Sequence, residues 1–405
     1  TIISVIALAV LAASIHLFGR DGGYPDWRVL LPTLATAALI LFLPRSAVQS
    51  LLESRAAVGT GRMSYAIYIW HWPFIVFATY VWPGALENVM ATVALTLVIL
   101  AVSWATWRFV EEPMRRPALL PEPEFRRVFL ISLIVLCGVS GSVWLLGGWP
   151  ARFDRKVVEI ESYAANVNLR RDKCHRGSID QLPLDQSCTY GAAVTPSLAI
   201  WSDSHGVELI AALAPWLAQH QKSAVQYSFS SCPPVAPSAD ETDCERFNQA
   251  AFARLMNDRK ITDVILAGAL DSPNYRNNAQ WRRQFLAAAN GLLTRGKRLI
   301  LIYPVPNQNF PVPRAMANAA RFSLPYDNAR VRRSDYLKRT RAVFSVYDSL
   351  GGKNVIRIYP DRVFCKTGMC AVSHDGKPLY FDDNHLSLFG ALQLSKATTS
   401  KISGL

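Results

Sequence analysis

Four stretches of this chain, residues 1–18, 63–82, 88–107 and 128–148, contain no Asp, Glu, Lys or Arg, and a fifth, 29–44, is shorter and equally apolar. A helix rises about 1.5 Å per residue, so roughly 20 such residues span a hydrocarbon core of about 30 Å. Five membrane helices are therefore the expectation. They also explain where the overall apolar share of 51% comes from, which is high for a purely soluble protein.

Positively charged loops stay on the cytoplasmic side. Residues 45–62 carry Arg45, Arg55 and Arg62 against Glu53, and 108–127 carry Arg108, Arg115, Arg116, Arg126 and Arg127. These loops are expected inside. The turn at Trp82-Pro83-Gly84 has no basic residue, and the first loop balances Arg20 and Arg28 against Asp21 and Asp26. Counting helices then delivers everything after about residue 150 to the outer face. Cysteine usage points the same way. Cys137 lies in the last apolar span and reads as a small core residue, whereas the other six follow residue 150 in close pairs, Cys174 with Cys188, Cys232 with Cys244 and Cys365 with Cys370. Locally paired cysteines suit an oxidising compartment, and no pair has the short repeated spacing with histidines that zinc prefers. Disulfides are expected and no metal site. The chain begins at Thr1 inside an apolar run with no basic region before it, so it reads as the back half of a larger membrane protein rather than as a chain opening with a signal peptide.

Past residue 150 the pattern changes. Strand-like runs at 196–201, 224–230, 261–268, 298–304 and 354–359 alternate with amphipathic stretches near 206–219, 245–258, 279–295 and 335–350. That alternation predicts a parallel sheet covered by helices on both faces, with ligands beyond the carboxyl ends of the strands. The Pro-rich stretches at 117–123 and 303–313 read as connectors.

Ser204, in "WSDSHG", falls directly after the first of these strands and at the start of a helix. Free N–H groups and the helix dipole favour a developing oxyanion there. A serine before a helix is also an ordinary N-cap, so a nucleophile's role demands a histidine oriented by a carboxylate. "YFDDNH" supplies Asp382 three residues before His385, with Asp383 as the competing orienter.

An Asp-Ser after the first strand and an Asp-x-x-His before the last helix resemble the SGNH (GDSL-like) hydrolase family. "SDSHG" matches its Gly-Asp-Ser block with Ser202 in place of glycine, and "DDNH" matches its Asp-x-x-His block. The resemblance implies a catalytic triad of Ser204, His385 and Asp382. The family's Gly-x-Asn-Asp block is missing; the corresponding strand reads "VILAGALDSPNY". The oxyanion donors implied are the Ser204 N–H, with the backbone at Gly268 or the side chain of Asn274 as the second.

"GRMSYAIYIWHWPFIVF" followed by "WRFVEEPMRRP" is similar to the final helices of the acyltransferase-3 family of membrane acyltransferases. Ser64, Tyr65, Tyr68, His71 and Pro73 match one motif, and Glu111, Glu112, Pro113 and Arg116 the other. A histidine inside an apolar span is costly unless partnered, so His71 is expected to bond to another helix or to act in chemistry. The two resemblances together imply a multi-pass α-helical membrane segment, then a three-layer α/β SGNH-like domain. The boundaries expected are 1–127 for acyltransferase helices, 128–150 for a linking span, 151–195 for a disulfide-bearing extension and 196–405 for a periplasmic SGNH-like domain. They imply an inner-membrane O-acyltransferase, usually an O-acetyltransferase, acting on envelope glycan such as lipopolysaccharide O-antigen. No bound cofactor is implied; acetyl-CoA would be the cytosolic donor, and the family's catalytic histidine would lie upstream of Thr1. A periplasmic carbohydrate esterase and a non-catalytic glycan-presenting module are the alternatives. Most of the net charge of +13 falls after residue 149, since the first 149 residues hold ten Arg/Lys and eight Asp/Glu. A basic exterior either concentrates anionic glycans or is simply a solvated surface that aids solubility, and with this compartment nucleic acid is not an expected partner.

Overall fold

The computed structural model of the chain describes residues 2–17, 27–44, 46, 48–82, 84–115, 121–238, 242–270, 279–323 and 330–403. The chain divides into two units, Thr1–Ala78 with Leu86–Ser140, and Thr79–Ala85 with Gly141–Leu405.

The first unit is helical. Helices Ile2–Leu17 and Leu30–Phe42 pack together, with the Ser4 hydroxyl donating to the Phe42 carbonyl at 2.7 Å. Helix Arg55–Val81 meets helix Val89–Thr106 through a bond from Trp70 Nε1 to Thr106 Oγ1 at 2.8 Å. Among the described residues, two helices are long and apolar enough to cross a membrane, Val89–Met114 and Glu122–Leu145; Ile2–Ile15 and Trp27–Phe42 are apolar but shorter. The expectation of five spans is thus met in full by two helices. Arg55–Val81, at 27 residues, is long enough, but its amphipathic run through Tyr65, Tyr68, Trp70, His71 and Trp72 lowers its apolarity. Cys137 is exposed, not a core residue, because no residue of helix Glu122–Leu145 is buried.

The second unit is an α/β domain. Its six strands are β1 Thr189–Gly191, β2 Leu198–Ser202, β3 Ser223–Ser228, β4 Asp263–Ala267, β5 Arg298–Ile302 and β6 Val355–Ile358, in the order β1-β3-β2-β4-β5-β6. Five are parallel, but β1 pairs antiparallel with β3, so the sheet is mixed rather than wholly parallel. β1 is three residues long with only Tyr190 buried, too short to give an alternating pattern. β2 is buried throughout, and its side chains alternate between two cores. Leu198 and Ile200 join Leu209 and Leu213 of helix Val207–Gln219 on one face, while Ala199 and Trp201 join Phe247 and Phe285 on the other. Helix Val312–Phe322 occupies the stretch next to the Pro-rich "connector" and begins with Val312 and Pro313 in its first turn, where proline costs a helix nothing. Three disulfides, Cys174–Cys188, Cys232–Cys244 and Cys365–Cys370, close short loops around this domain.

The winding reverses at β2. The chain crosses from β2 to β3 on one side and then returns to β4 on the other, which opens a crevice at the carboxyl ends of β2 and β4. Ser204 and Gly268 stand at that crevice.

Candidate active site

Asp203 builds the turn that presents Ser204. It is 1% exposed, and its two carboxylate oxygens accept the N–H of His205 at 2.8 Å and of Ala269 at 2.7 Å. The first bond caps the short 3₁₀ turn Ser204–Gly206; the second ties that turn to the end of β4. Asp203, not Ser204, is therefore the N-cap, and the Ser204 hydroxyl is left for other work. Ser202 is fully buried, and a Cβ on Gly206 would meet its Oγ at 2.2 Å. A serine in the usual glycine position is accommodated because residue 206 has no side chain. We expect Asp203→Asn to destabilise the domain by about 1–3 kcal/mol, since an amide presents N–H groups to one of two buried N–H donors; urea unfolding checks this.

The loop after the β7–β8 hairpin (Ser373–His374, Lys377–Pro378) carries the other two groups. Phe381 N–H donates to the His385 carbonyl at 3.1 Å and closes the loop. Inside it, Asp382 Oδ1 accepts the N–H of Asn384 at 2.9 Å and of His385 at 2.6 Å, while Oδ2 lies 2.7 Å from His385 Nδ1. His385 Nε2 lies 2.8 Å from Ser204 Oγ. The relay Ser204–His385–Asp382 is thus continuous. Asp383 instead offers its backbone carbonyl to Gln308 N–H at 2.8 Å. Burial raises the Asp382 carboxyl, but the bonds from the His385 imidazole and from the two N–H groups outweigh it and hold the group below the usual carboxylate range. It is an anion at neutral pH, fit to fix the Nδ1–H tautomer.

Among the described residues, the N–H groups of Ser204 and Gly268 have no backbone or side-chain acceptor. Both border the crevice, as donors to an oxyanion must. Asn274 lies outside the described residues.

Two histidines that spacing alone does not reveal join the cluster. The His205 ring lies against His385 with centroids 4.4 Å apart at a tilt of 36°, and desolvation, then the neighbouring His385, push its pKa well below the ordinary value. His175 sits between Ser228 Oγ at 2.9 Å and Ser230 Oγ at 3.0 Å and is pushed down to about 4, by desolvation first and then by Arg171. Both rings stay neutral at neutral pH and do not oppose an imidazolium forming on His385. The folded pKa of His175 lies below its ordinary 6.5, so the unfolded chain binds more protons between about pH 4 and 6.5, and stability falls as pH drops through that window. We expect the thermal midpoint of His175→Gln to fall less steeply than the wild type's between those values. The signal available for His205 was its position directly after the serine; nothing in the spacing marked His175.

In the first unit, Ser64, Tyr65 and Tyr68 are exposed on helix Arg55–Val81. His71 Nδ1 lies 2.8 Å from the Tyr68 carbonyl and 3.1 Å from that of Ile67, so among the described residues this nitrogen bonds into its own helix. Glu111 ends a π-helical turn, Trp107–Glu111, with Arg115 3.8 Å away. Arg116 lies outside the described residues.

A doubly wound sheet that brings a serine at its switch point to a histidine and an aspartate from its last loop defines an α/β domain of the serine-hydrolase type. Residues 173–399 match the SGNH domain that is fused to AT3 domains, and the chain belongs to that family. Residues 1–108 match the acyltransferase domain family. Over 163 residues the chain is 27% identical to O-acetyltransferase OatA from Staphylococcus aureus strains MRSA252 and NCTC 8325, covering 36% of this chain and 26% of each relative. The matched segment thus spans about a quarter of the curated relatives' length. The periplasmic domain of a lipopolysaccharide acetyltransferase from Salmonella ser. Paratyphi A is similar with a TM-score of 0.47 and 16% identity, over 62% of this chain and 97% of that one. TesA is similar with a TM-score of 0.33 and 14% identity, over 51% and 98%.

Proposed function

We propose that this chain is part of a membrane O-acetyltransferase that modifies cell-envelope polysaccharide, with the acetyl group passing through Ser204. The observation that carries this reading is the unbroken Ser204–His385–Asp382 relay in a chain whose other end matches an acyltransferase domain. His385 Nε2 takes the Ser204 proton as Oγ attacks the acyl carbonyl, and the N–H groups of Ser204 and Gly268 donate to the oxyanion. The donor's leaving group departs with the proton, which leaves an acetyl ester on Ser204. A sugar hydroxyl then gives its proton to Nε2 and attacks the ester, and Nε2 returns that proton to Ser204 Oγ as the serine leaves. Asp382 balances the imidazolium in both halves. Transfer rather than hydrolysis requires a held sugar and excluded water.

In this reading the apolar helices cross the inner membrane, acetyl-CoA supplies the group from the cytoplasm, and the disulfide-bonded domain faces the periplasm. A lipopolysaccharide such as O-antigen is the acceptor proposed. Mass spectrometry of envelope glycan tests it: cells making the full-length protein should carry O-acetyl sugar, and cells making Ser204→Ala should lack it. Full acetylation by the variant would reduce the domain to a glycan-presenting module, and acetyl loss on expression of the wild type would make it an esterase.

A further inference from the structure

We infer that Arg171 forms a subsite for an acidic group, a carboxylate or phosphate, on the acceptor sugar. The inference rests on the acetyl-transfer reading above and names the substrate class of the same site. Arg171 precedes the segment that matches the SGNH domain, in the short helix Arg171–Cys174 that the Cys174–Cys188 disulfide anchors. Its guanidinium lies 5.3 Å from the Phe381 ring centroid, and that ring lies nearly parallel to His385, at 10° and 5.2 Å. The Phe381 ring therefore borders both the Arg171 guanidinium and the His385 imidazole.

The guanidinium is held, yet only partly used. Nη1 donates to Glu208 Oε1 at 2.6 Å. Glu208 is 2% exposed; desolvation raises its carboxyl and Arg171 draws it back. This is a single bond, not the two-pronged fork of which the group is capable. Among the described residues the other guanidinium nitrogens meet no acceptor, and the side chain keeps 20% of its surface open. His175 and His205, which feel the Arg171 charge, are held neutral, so these imidazoles do not share the cationic role with Arg171. A planar donor edge held in place by a buried carboxylate and an aromatic ring is suited to grip an anion without losing much side-chain freedom.

The test uses the full chain in detergent, with tetragalacturonate and its neutral methyl ester as probes. Wild type should bind the acid about ten- to a hundredfold more tightly by calorimetry, the range of a charged hydrogen bond, and Arg171→Lys should keep part of that preference. Arg171→Met with Glu208→Gln, which leaves no unpaired buried charge, should abolish it. No preference in the wild type, or a preference that survives the double variant, overturns the subsite. A separate arm labels Ser204 with a fluorophosphonate. Labelling slowed by the acid more than by its ester supports the subsite, and equal slowing counts against it. Absence of labelling at Ser204 with the acid preference intact would overturn the acetyl-transfer reading while sparing the anion site.

Discussion

Ser204→Ala and His385→Ala are each expected to lower turnover of p-nitrophenyl acetate by at least about 10⁴-fold, with the double variant no worse than either single one. The relay is a unit: an imidazole without the serine has nothing to deprotonate, and a serine without the imidazole is a poor nucleophile. Neither change should unfold the domain. Asp203 carries the cap and the tie to β4, and Ser204 contributes only its bond to His385. Asp382→Asn should retain more activity than either, because the oxyanion donors and the base remain. Asp383→Asn should be mild, because the Asp383 contact to Gln308 is made by its backbone.

Gly390→Ala is expected to cost about 3 kcal/mol or more and to remove activity with it. A Cβ at this position would sit 1.9 Å from the Leu379 carbonyl oxygen, so backbone and not a flexible side chain has to move. The Ser387 N–H donates to that same carbonyl at 2.9 Å, and the Gly390 N–H donates to Ser387 Oγ at 3.0 Å. Helix Leu388–Ser403 is thereby laid against the strand that leads into the loop carrying Asp382 and His385. Prising them apart loosens the base as well as the core. Guanidinium unfolding and ester turnover on the same sample read both effects.

The parallel strands were legible because they are largely buried on both faces and, apart from β3 with its buried Ser223, Gln226 and Ser228, read as short apolar runs bounded by turns. β1 was not, since three residues at an edge carry no period. Helix Val312–Phe322 was hidden by Pro311 at its N-cap and by Pro313 in its first turn, which tolerates proline. In the helical unit, counting charge-free runs pointed to five spans, but length and apolarity together are satisfied by Val89–Met114 and Glu122–Leu145. Of the site, the two short motifs pointed to Ser204, Asp382 and His385 because their spacing is local. The Asp-x-x-His spacing preferred Asp382 to Asp383, and the loop's hydrogen bonds place Asp382 on His385. Arg171 and His175 are neighbours in the 151–195 segment, but they meet Glu208 of helix Val207–Gln219 and Ser228 of β3 only through the packing of that segment on the domain, which no spacing encodes.

In the proposed reaction Ser204 carries the acetyl group. Full-length chain incubated with p-nitrophenyl acetate, quenched in acid and digested, should yield the peptide containing Ser204 with one acetyl group added to the serine, and the Ser204→Ala sample should yield none. Turnover that persists in a folded Ser204→Ala sample, with acetyl on another residue or on none, would contradict it.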